Sequence, residues 1–174
     1  RAPEGAAAIV SPHDGTIVAL ASVPTYDPSV LVGGISTDVW NELNDPKNGN
    51  PLINRAVSGE FPPGSTFKLI SLYAALENNM FGPGNPPGYD DSTGKYQIAD
   101  CEGPTCIRQN ADAAVLGYAD PQTSITISSD VFYYWLADRM WQGRKLLGET
   151  PIQDAGAKFG LGEKTGIPLA GERG

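Results

Sequence analysis

The sequence predicts a mixed α/β protein of the α+β type, with an antiparallel sheet flanked by helices. Two apolar runs near the start, residues 5–10 and 16–21, are separated by a short turn-forming segment. Two longer apolar segments, residues 64–78 and 123–141, have the length and composition of buried helices. A chain of 174 residues is long enough to bury one core. We therefore predict a single domain over residues 1–174.

The composition is that of a folded, acidic protein. Hydrophobic residues make up 40% of the chain and charged residues 18%, which is typical of globular domains. The formal net charge of −8 argues against nucleic acid as a partner, because phosphate binding needs a basic surface. No stretch approaches the roughly 20 apolar residues that span a bilayer, and no signal peptide is present. Because the chain begins at Arg1 and not at Met, we expect a processed piece of a longer protein, from which targeting information has been removed.

The first predicted element is a β-hairpin over residues 5–23. The segment Ser11-Pro-His-Asp-Gly15 supplies the turn, since Pro fixes φ and Gly accepts a positive φ. Pro24 and Pro28 end the second strand. The two apolar runs are nearly continuous rather than alternating, so we expect both faces of the strands to be covered by other elements.

A long excursion over residues 29–60 follows the hairpin, with a short helix at 38–43 and a loop at 44–51. The next helix is predicted at 64–78, directly after two prolines. Its side chains are apolar on almost every face, so we expect this helix to be buried.

The second half of the chain is less regular. Residues 82–122 are rich in loop-forming residues, and we expect one helix there, at 110–116. Beyond them, the pattern predicts a helix at 123–141, a short amphipathic helix at 151–159 and an extended or looped segment at 165–174. The aromatic residues within 132–135 are predicted to belong to the core.

Cys101 and Cys106 are the two cysteines, and a Gly-Pro turn between them can bring their sulfur atoms together. A zinc site needs about four ligands, and the single histidine, His13, is far away in sequence. The spacing therefore favours a disulfide, leaves two free thiols as the alternative and disfavours a metal site. A disulfide fits an extracytoplasmic location.

Ser65-Thr-Phe-Lys68 is the first candidate for chemistry. A serine hydroxyl is a weak nucleophile and needs a base nearby. Residues three apart share a helix face, so the Lys68 amine can reach the Ser65 hydroxyl. Burial favours the neutral, basic form of an amine, and a helix N-terminus favours negative charge that develops at Ser65. The backbone N–H of Ser65 is a candidate arm of an oxyanion hole.

The Ser-x-x-Lys spacing alone is a weak signal, because it also occurs at Ser92-Thr-Gly-Lys95. That second copy lies in a polar run with nothing to desolvate the lysine, so we predict an exposed turn. The structural alternative for the first copy is a serine that caps a helix and a lysine in solvent. The Pro-Pro-Gly lead-in and the apolar helix behind Ser65 favour the catalytic interpretation.

The segment Glu60-Phe-Pro-Pro-Gly-Ser-Thr-Phe-Lys68 resembles the active-serine segment of class B penicillin-binding proteins. Three further segments are similar to this family in order along the chain, at 5–28, 50–59 and 159–172, and only 79–118 is vague. The resemblance implies the fold of penicillin-binding proteins and serine β-lactamases. It also implies that Ser65 is the nucleophile and that Lys68 lies beside it.

The second motif of this family is Ser-x-Asn, or Ser-x-Asp in its elongation-type members, and Ser128-Ser129-Asp130 fits the latter. The resemblance implies that Ser128 joins the hydrogen-bond network of Ser65 and Lys68 and passes a proton to the leaving amine. Asp130 would pair with Lys68 or contact the substrate amide. From the residues alone, Ser128 or Ser129 would only cap the following helix, with Asp130 in its first turn.

The family's third motif, Lys-Thr-Gly or Lys-Ser-Gly on a strand, is spelled by Lys164-Thr-Gly166. No strand-forming run precedes it, so we predict that Lys164 is not the lysine of the site. The resemblance then places the true motif in a missing C-terminal half of the domain, together with the strands that would pair with the first hairpin. Without those strands, we expect the hairpin to expose an edge and an apolar face and the piece to be marginally stable.

By resemblance, the chain is part of a peptidoglycan D,D-transpeptidase that is anchored on the extracytoplasmic side of the bacterial membrane. The enzyme would act on D-Ala-D-Ala stem peptides, would be acylated by β-lactams and would work with the cell-wall elongation machinery, with no cofactor or metal. One alternative is a serine β-lactamase or D,D-carboxypeptidase, against which the lead-in at 62–68 argues. The other is a non-catalytic β-lactam sensor or truncated scaffold domain, which the missing third motif favours.

Overall fold

The computed structural model describes residues 4–173, which contain six short strands and seven α-helices. The strands are β1 (Gly5–Val10), β2 (Ile17–Val23), β3 (Tyr89–Asp91), β4 (Lys95–Gln97), β5 (Ile107–Gln109) and β6 (Gly117–Ala119). The helices are α1 (Thr37–Asn44), α2 (Arg55–Ser58), α3 (Lys68–Glu77), α4 (Pro121–Thr126), α5 (Asp130–Gln142), α6 (Arg144–Leu147) and α7 (Pro151–Lys158). None of the helices in this range is long and apolar enough to cross a membrane.

The described chain divides into two compact units. The first unit runs to Pro62 and resumes at Glu163, and the second is the continuous segment Pro63–Gly162. The first contains β1, β2, α1 and α2, and the second contains the other strands and helices. All strand pairs are antiparallel, in three two-stranded sheets. The predicted combination of helices with antiparallel strands is confirmed.

The hairpin of the first unit forms as predicted from β1 and β2. Gly15 takes a φ of 74° in the turn, which a residue with a Cβ rarely adopts. α2 packs against both strands, but its four residues are too few to cover them. Ile9 and Val18 are 58% and 66% exposed. The expectation that both faces are covered is therefore wrong for the described chain, whereas the expected exposed apolar face is present.

The core of the second unit is built around α5. The helix buries the side chains of Val131, Phe132, Leu136 and Met140. Ala74 of α3 and Ala155 of α7 are fully buried in the same hydrophobic cluster as Phe132, Leu136 and Met140, so small residues of these helices pack against α5. The ring centroids of Phe132 and Trp135 are 5.3 Å apart. The aromatic run of α5 is thus mainly core, as predicted, although Tyr134 is exposed.

α3 is buried on one face only. Ala74 and Ala75 are fully buried, whereas Leu69 is 62% exposed and Leu76 is also exposed. With 3.6 residues per turn, the two leucines lie on the face opposite the two alanines. The expectation of a helix buried all round is therefore wrong within residues 4–173, because no element of this range covers the leucine face.

The prediction of a helix at 110–116 is also wrong. Residues 82–122 contain four three-residue strands, in which β3 pairs with β6 and β4 pairs with β5. Only a single 3-10 turn, Ala111–Ala113, lies near the predicted helix. Asp112 and Ala113 have φ angles of 55° and 53°, and this left-handed conformation does not continue into a right-handed helix.

The helix predicted at 123–141 is two helices, α4 and α5. The break falls at Ser128, whose φ is 53°. Each helix has its own cap: Asp120 accepts from the Thr123 N–H at 2.7 Å, and Ser129 accepts from the Phe132 N–H at 3.1 Å. The other predicted helices are confirmed, by α1, by α7, and by α3 with the 3-10 turn that leads into it.

Cys101 and Cys106 form a disulfide, with their Cα atoms 5.7 Å apart, which confirms the favoured pairing. The segment that precedes this disulfide is bound to α5 through the side chain of Asp138. This carboxylate accepts hydrogen bonds from the Tyr96 hydroxyl at 2.6 Å and from the Ala99 N–H at 2.8 Å. Burial and the hydrogen bond with Asp138 raise the pKa of the Tyr96 phenol far above its ordinary value.

Candidate active site

A buried lysine joins α3 to the turn between α4 and α5. Lys68 is the first residue of α3, and its side chain is 10% exposed. Its Nζ donates to the Ser128 carbonyl oxygen at 2.7 Å and to Ser128 Oγ at 2.9 Å, and it forms an ion pair with Asp130 Oδ1 at 2.6 Å. The amine also lies 5.5 Å from the centroid of the Tyr133 ring. One amine therefore binds three oxygen atoms of a single short turn.

The turn that holds Ser128 is shaped by its own backbone. The Ser128 N–H donates to the Ile125 carbonyl at 3.3 Å, and the Ser129 N–H donates to the Ser124 carbonyl at 3.1 Å. Ser128 then adopts its left-handed conformation, which costs a non-glycine residue about 1 kcal/mol or more. This reversal lets the carbonyl and the hydroxyl of Ser128 meet the same amine.

Ser65 lies one turn before Lys68. It belongs to the 3-10 turn Gly64–Phe67, which runs directly into α3, and its carbonyl accepts from the Lys68 N–H. Gly64 opens this turn with a φ of 57°. The Ser65 side chain is exposed. Within residues 4–173, no side-chain hydrogen bond links Ser65 to Lys68 or Ser128.

The hydrogen-bond count at Lys68 indicates what the cluster can do. A protonated lysine has three N–H donors and no acceptor, and Lys68 meets three oxygen acceptors. A neutral amine would instead offer a lone pair, and the Ser128 hydroxyl is placed at 2.9 Å to donate to it. The cluster can therefore pass a proton between Lys68 and Ser128 without moving a heavy atom.

Of the four predicted site residues, the structure brings Lys68, Ser128 and Asp130 into contact and leaves Ser65 beside them on the adjoining turn. The predicted helix cap is also present, but Ser129 provides it, so the hydroxyl of Ser128 is free to bind Lys68.

The second Ser-x-x-Lys copy and the Lys-Thr-Gly segment at Lys164 have the local structure that the sequence predicts. Ser92 and Lys95 are exposed, and they flank a turn in which Thr93 Oγ1 donates to the Lys95 carbonyl. Lys164 is exposed in a segment that forms no strand, and it belongs to the first unit. The prediction that Lys164 lacks the strand context of the third motif is confirmed.

The structure adds two residues that the sequence pattern did not single out for the site. Tyr133, predicted only as core, lies under the Lys68 amine, and its hydroxyl is 3.2 Å from Ser124 Oγ. Burial raises the pKa of the Tyr133 phenol. Asn110, placed by the sequence in a helix, binds the first turn of α5 through the Val131 N–H at 2.9 Å. No spacing rule signals either contact, because both partners are distant in sequence.

The described residues, 4–173, contain no group of three or more His, Cys, Asp or Glu side chains arranged to hold a metal ion.

A family model described as the penicillin binding protein transpeptidase domain matches residues 5–174. The chain is also 33% identical over 171 residues to the peptidoglycan D,D-transpeptidase MrdA of Escherichia coli K12, a match that covers 97% of this chain and 24% of that relative. The chain thus spans about a quarter of the length of such curated relatives.

Two solved structures have the same fold. Penicillin-binding protein A from M. tuberculosis, as an imipenem acyl-enzyme complex, matches with a TM-score of 0.72 and 26% identity, over 92% of this chain and 35% of that chain. A peptidoglycan synthase complex that coordinates polymerization and crosslinking matches with a TM-score of 0.76 and 27% identity, over 98% of this chain and 27% of that chain. Both likenesses support the predicted fold.

Proposed function

Because this chain belongs to the penicillin-binding protein transpeptidase family, we propose that it carries the acylated serine of a peptidoglycan D,D-transpeptidase, and that this serine is Ser65. The observation that carries the proposal is the buried Lys68 amine, held between Ser128 and Asp130 one helical turn after Ser65. The proposed substrate is the D-Ala-D-Ala end of a peptidoglycan stem peptide, and β-lactams would acylate the same serine.

In the proposed acylation step, Ser65 Oγ attacks the carbonyl carbon between the two D-Ala residues. A new C–O ester bond forms, the peptide C–N bond breaks, and the terminal D-Ala leaves as a free amine. The Ser65 proton passes to the lysine–serine cluster, and a proton from that cluster reaches the leaving nitrogen. In the second step, an amine of a neighbouring stem attacks the ester carbon, a new amide C–N bond forms and the C–O bond breaks. The proton that the amine loses returns to Ser65 through the same cluster.

The three contacts of Lys68 give each residue a proposed role in this transfer. Lys68 accepts the Ser65 proton once it is in its neutral form. Ser128 Oγ, at 2.9 Å from Nζ, relays a proton toward the leaving amine. Asp130, at 2.6 Å from Nζ, balances the lysine charge while Lys68 holds the Ser65 proton, and it fixes the position of the amine.

The assembly and location of the protein follow as further parts of the proposal. The Ser128-x-Asp130 pattern and the similarity to MrdA support an elongation-type enzyme on the extracytoplasmic side of the bacterial membrane. The likeness to a peptidoglycan synthase complex that coordinates polymerization and crosslinking supports the proposal that the protein acts together with a glycan-polymerising partner. The third motif would come from another part of the complete protein, since Lys164 lies in a segment that forms no strand.

Intact-mass measurement after incubation with benzylpenicillin tests the proposal. We expect one penicillin adduct on the complete gene product that carries these residues and none on its Ser65→Ala variant. Ser92→Ala is the matched control, because it removes the serine of the second Ser-x-x-Lys copy and should keep the adduct.

The lifetime of the adduct separates the alternatives. A stable penicillin adduct argues against a β-lactamase, which would hydrolyse it rapidly. Incubation with a D-Ala-D-Ala stem peptide and an acceptor amine then separates a transpeptidase, which forms the amide product, from a D,D-carboxypeptidase, which only releases D-Ala, and from a sensor, which does neither. Absence of an adduct, or equal labelling of Ser65→Ala, would contradict the role of Ser65.

A further inference from the structure

Asn110 lies between the strands of the second unit and the turn that carries Ser128 and Asp130. We infer that it is a positioning residue for the Lys68–Ser128–Asp130 cluster. The inference rests on the proposed function, since the reaction that Asn110 would serve is the acylation of Ser65. Asn110 follows β5 directly and is only 3% exposed.

The Asn110 side chain uses both ends of its amide. Oδ1 accepts from the Val131 N–H at 2.9 Å. Nδ2 donates to the Asp91 carboxylate and to the Ala114 carbonyl, the latter at 2.8 Å. The backbone N–H of Asn110 donates to the Gly94 carbonyl at 3.1 Å. One buried residue therefore connects β3, the β3–β4 turn, the chain before β6 and the start of α5.

The contact with Val131 acts on the functional turn because Val131 directly follows Asp130. The first N–H groups of a helix have no partner within the helix and must be satisfied from outside. Ser129 satisfies the Phe132 N–H, but Ser129 belongs to the turn and would move with it. Asn110 lies 21 residues earlier in sequence. It is therefore a second tertiary contact, besides those of Lys68, that fixes where the first turn of α5 lies.

The surroundings of Asn110 make this contact costly to lose. Asp91 is 1% exposed, and its Oδ1 has no hydrogen-bond partner among the described residues. Removing the Asn110 amide would deprive the other carboxylate oxygen of its donor and leave the Val131 N–H unpaired as well. Buried groups without partners are strongly unfavourable, so the turn would shift to find new ones. Shifts well below 1 Å at Ser128 and Asp130 would slow proton transfer.

Penicillin acylation kinetics test the inference on the complete gene product that carries these residues. The first-order acylation rate constant is measured separately from the non-covalent dissociation constant of benzylpenicillin, together with the melting temperature. For Asn110→Ala we expect the rate constant to fall about tenfold or more, with the dissociation constant changed less than about threefold. A role confined to stability would lower the melting temperature and leave the rate constant of the folded protein unchanged.

Asn78→Ala is the matched control. Asn78 also uses its amide to bind a backbone carbonyl, that of Ala74 at 2.8 Å. It follows the last residue of α3, about 15 Å along the helix from Lys68 at 1.5 Å per residue. We expect its acylation rate constant to stay within about twofold of the wild type. Equal rate constants for Asn78→Ala and Asn110→Ala would overturn the inference.

A swap variant keeps the test decisive where Asn110→Ala does not fold. Asn110→Asp alone keeps the acceptor for Val131 but places two carboxylates together, so we expect slow acylation. Adding Asp91→Asn restores a donor between positions 91 and 110, and the rate constant should recover to within about threefold of the wild type. A folded swap variant that acylates no faster than Asn110→Asp would overturn the inference. A wild-type protein that is not acylated would instead overturn the proposed function, and the positioning role with it.

Discussion

At the scale of the residue, Ser128 combines a backbone conformation that favours glycine with a side chain that must carry a hydroxyl. Its backbone is left-handed, with a φ of 53°, which favours glycine. Its hydroxyl and carbonyl both bind the Lys68 amine, which needs a serine at the same place. The strain at Ser128 is therefore tolerated where the proposed proton relay lies, as is common at functional sites.

Two substitutions separate the strain from the hydroxyl. Ser128→Gly relieves the left-handed backbone and Ser128→Ala does not, so the glycine variant should be the more stable of the two by about 1 kcal/mol. Both lose the hydroxyl, and both should acylate with benzylpenicillin at least about tenfold more slowly than the wild type. Thermal denaturation and acylation kinetics measure the two effects.

The same pair at Ser92 is the control, because Ser92 is exposed and is not among the residues with positive φ. There the glycine variant should be the less stable of the two. If Ser128→Gly were also less stable than Ser128→Ala, the left-handed conformation would not be the feature that opposes serine.

At the scale of the element, the predictable parts are those whose signals are local. The hairpin is encoded by two apolar runs and one Gly15 turn, and α7 by a short amphipathic pattern. The strands of residues 82–122 carry no such signal, because each has three residues and β3 pairs with a strand that begins 26 residues after β3 ends. The break between α4 and α5 has a signal, since Asp120-Pro121 and Ser129-Asp130 are two separate helix starts.

The candidate site also contains residues that the sequence predicts and residues that only the fold brings in. Ser65 and Lys68 are predicted from motif spacing and Ser128 and Asp130 from the family resemblance, and the structure brings the last three into contact. Asn110 could not be found, because its role depends on contacts with β3 and α5 that only the folded chain makes. The aromatic pattern identifies Tyr133 as core but not as the ring beneath Lys68.

The contact of β4 with α5 predicts how stability depends on pH. The pKa of Tyr96 is raised in the folded state by burial and by Asp138, whereas an exposed tyrosine titrates near pH 10. The unfolded chain therefore loses this proton first. The stabilising contribution is complete below about pH 10 and is lost as the pH rises above that value.

Tyr96→Phe removes this ionisation and also the hydrogen bond to Asp138. At pH 7 the variant should be less stable by about 1–2 kcal/mol. Between about pH 9.5 and 11 its melting temperature should fall less steeply than that of the wild type. Tyr118→Phe, which removes an exposed hydroxyl, is the control for losing a phenol as such. Parallel pH curves for Tyr96→Phe and the wild type would contradict the coupling.

At the scale of the whole molecule, the exposed apolar side chains of β1 and β2 set the solution behaviour. Ile9 and Val18 stand mostly in solvent on a hairpin whose strands pair only with each other in the described chain. Such an edge favours association with other chains. The double variant Ile9→Thr with Val18→Thr keeps β-forming residues and removes this surface.

We expect the double variant to bind less of a hydrophobic fluorescent dye and to self-associate less in light scattering than the unmodified chain. Val32→Thr is the control, because Val32 is also exposed in the first unit but lies outside the hairpin. Equal dye binding by the double variant and the unmodified chain would show that the hairpin is not the associating surface.

The first unit is built from two segments that lie about 100 residues apart in sequence, so its parts leave the ribosome at different times. A chain that leaves the ribosome in order delivers all of Pro63–Gly162 before it delivers the last part of the first unit, which resumes at Glu163. At ordinary synthesis rates the first 62 residues wait roughly ten seconds for their partner segment, whereas a hairpin forms within microseconds. The second unit, which contains Ser65, Lys68 and Ser128, can therefore finish folding first. The apolar side chains of the hairpin are therefore exposed to other nascent chains throughout that interval.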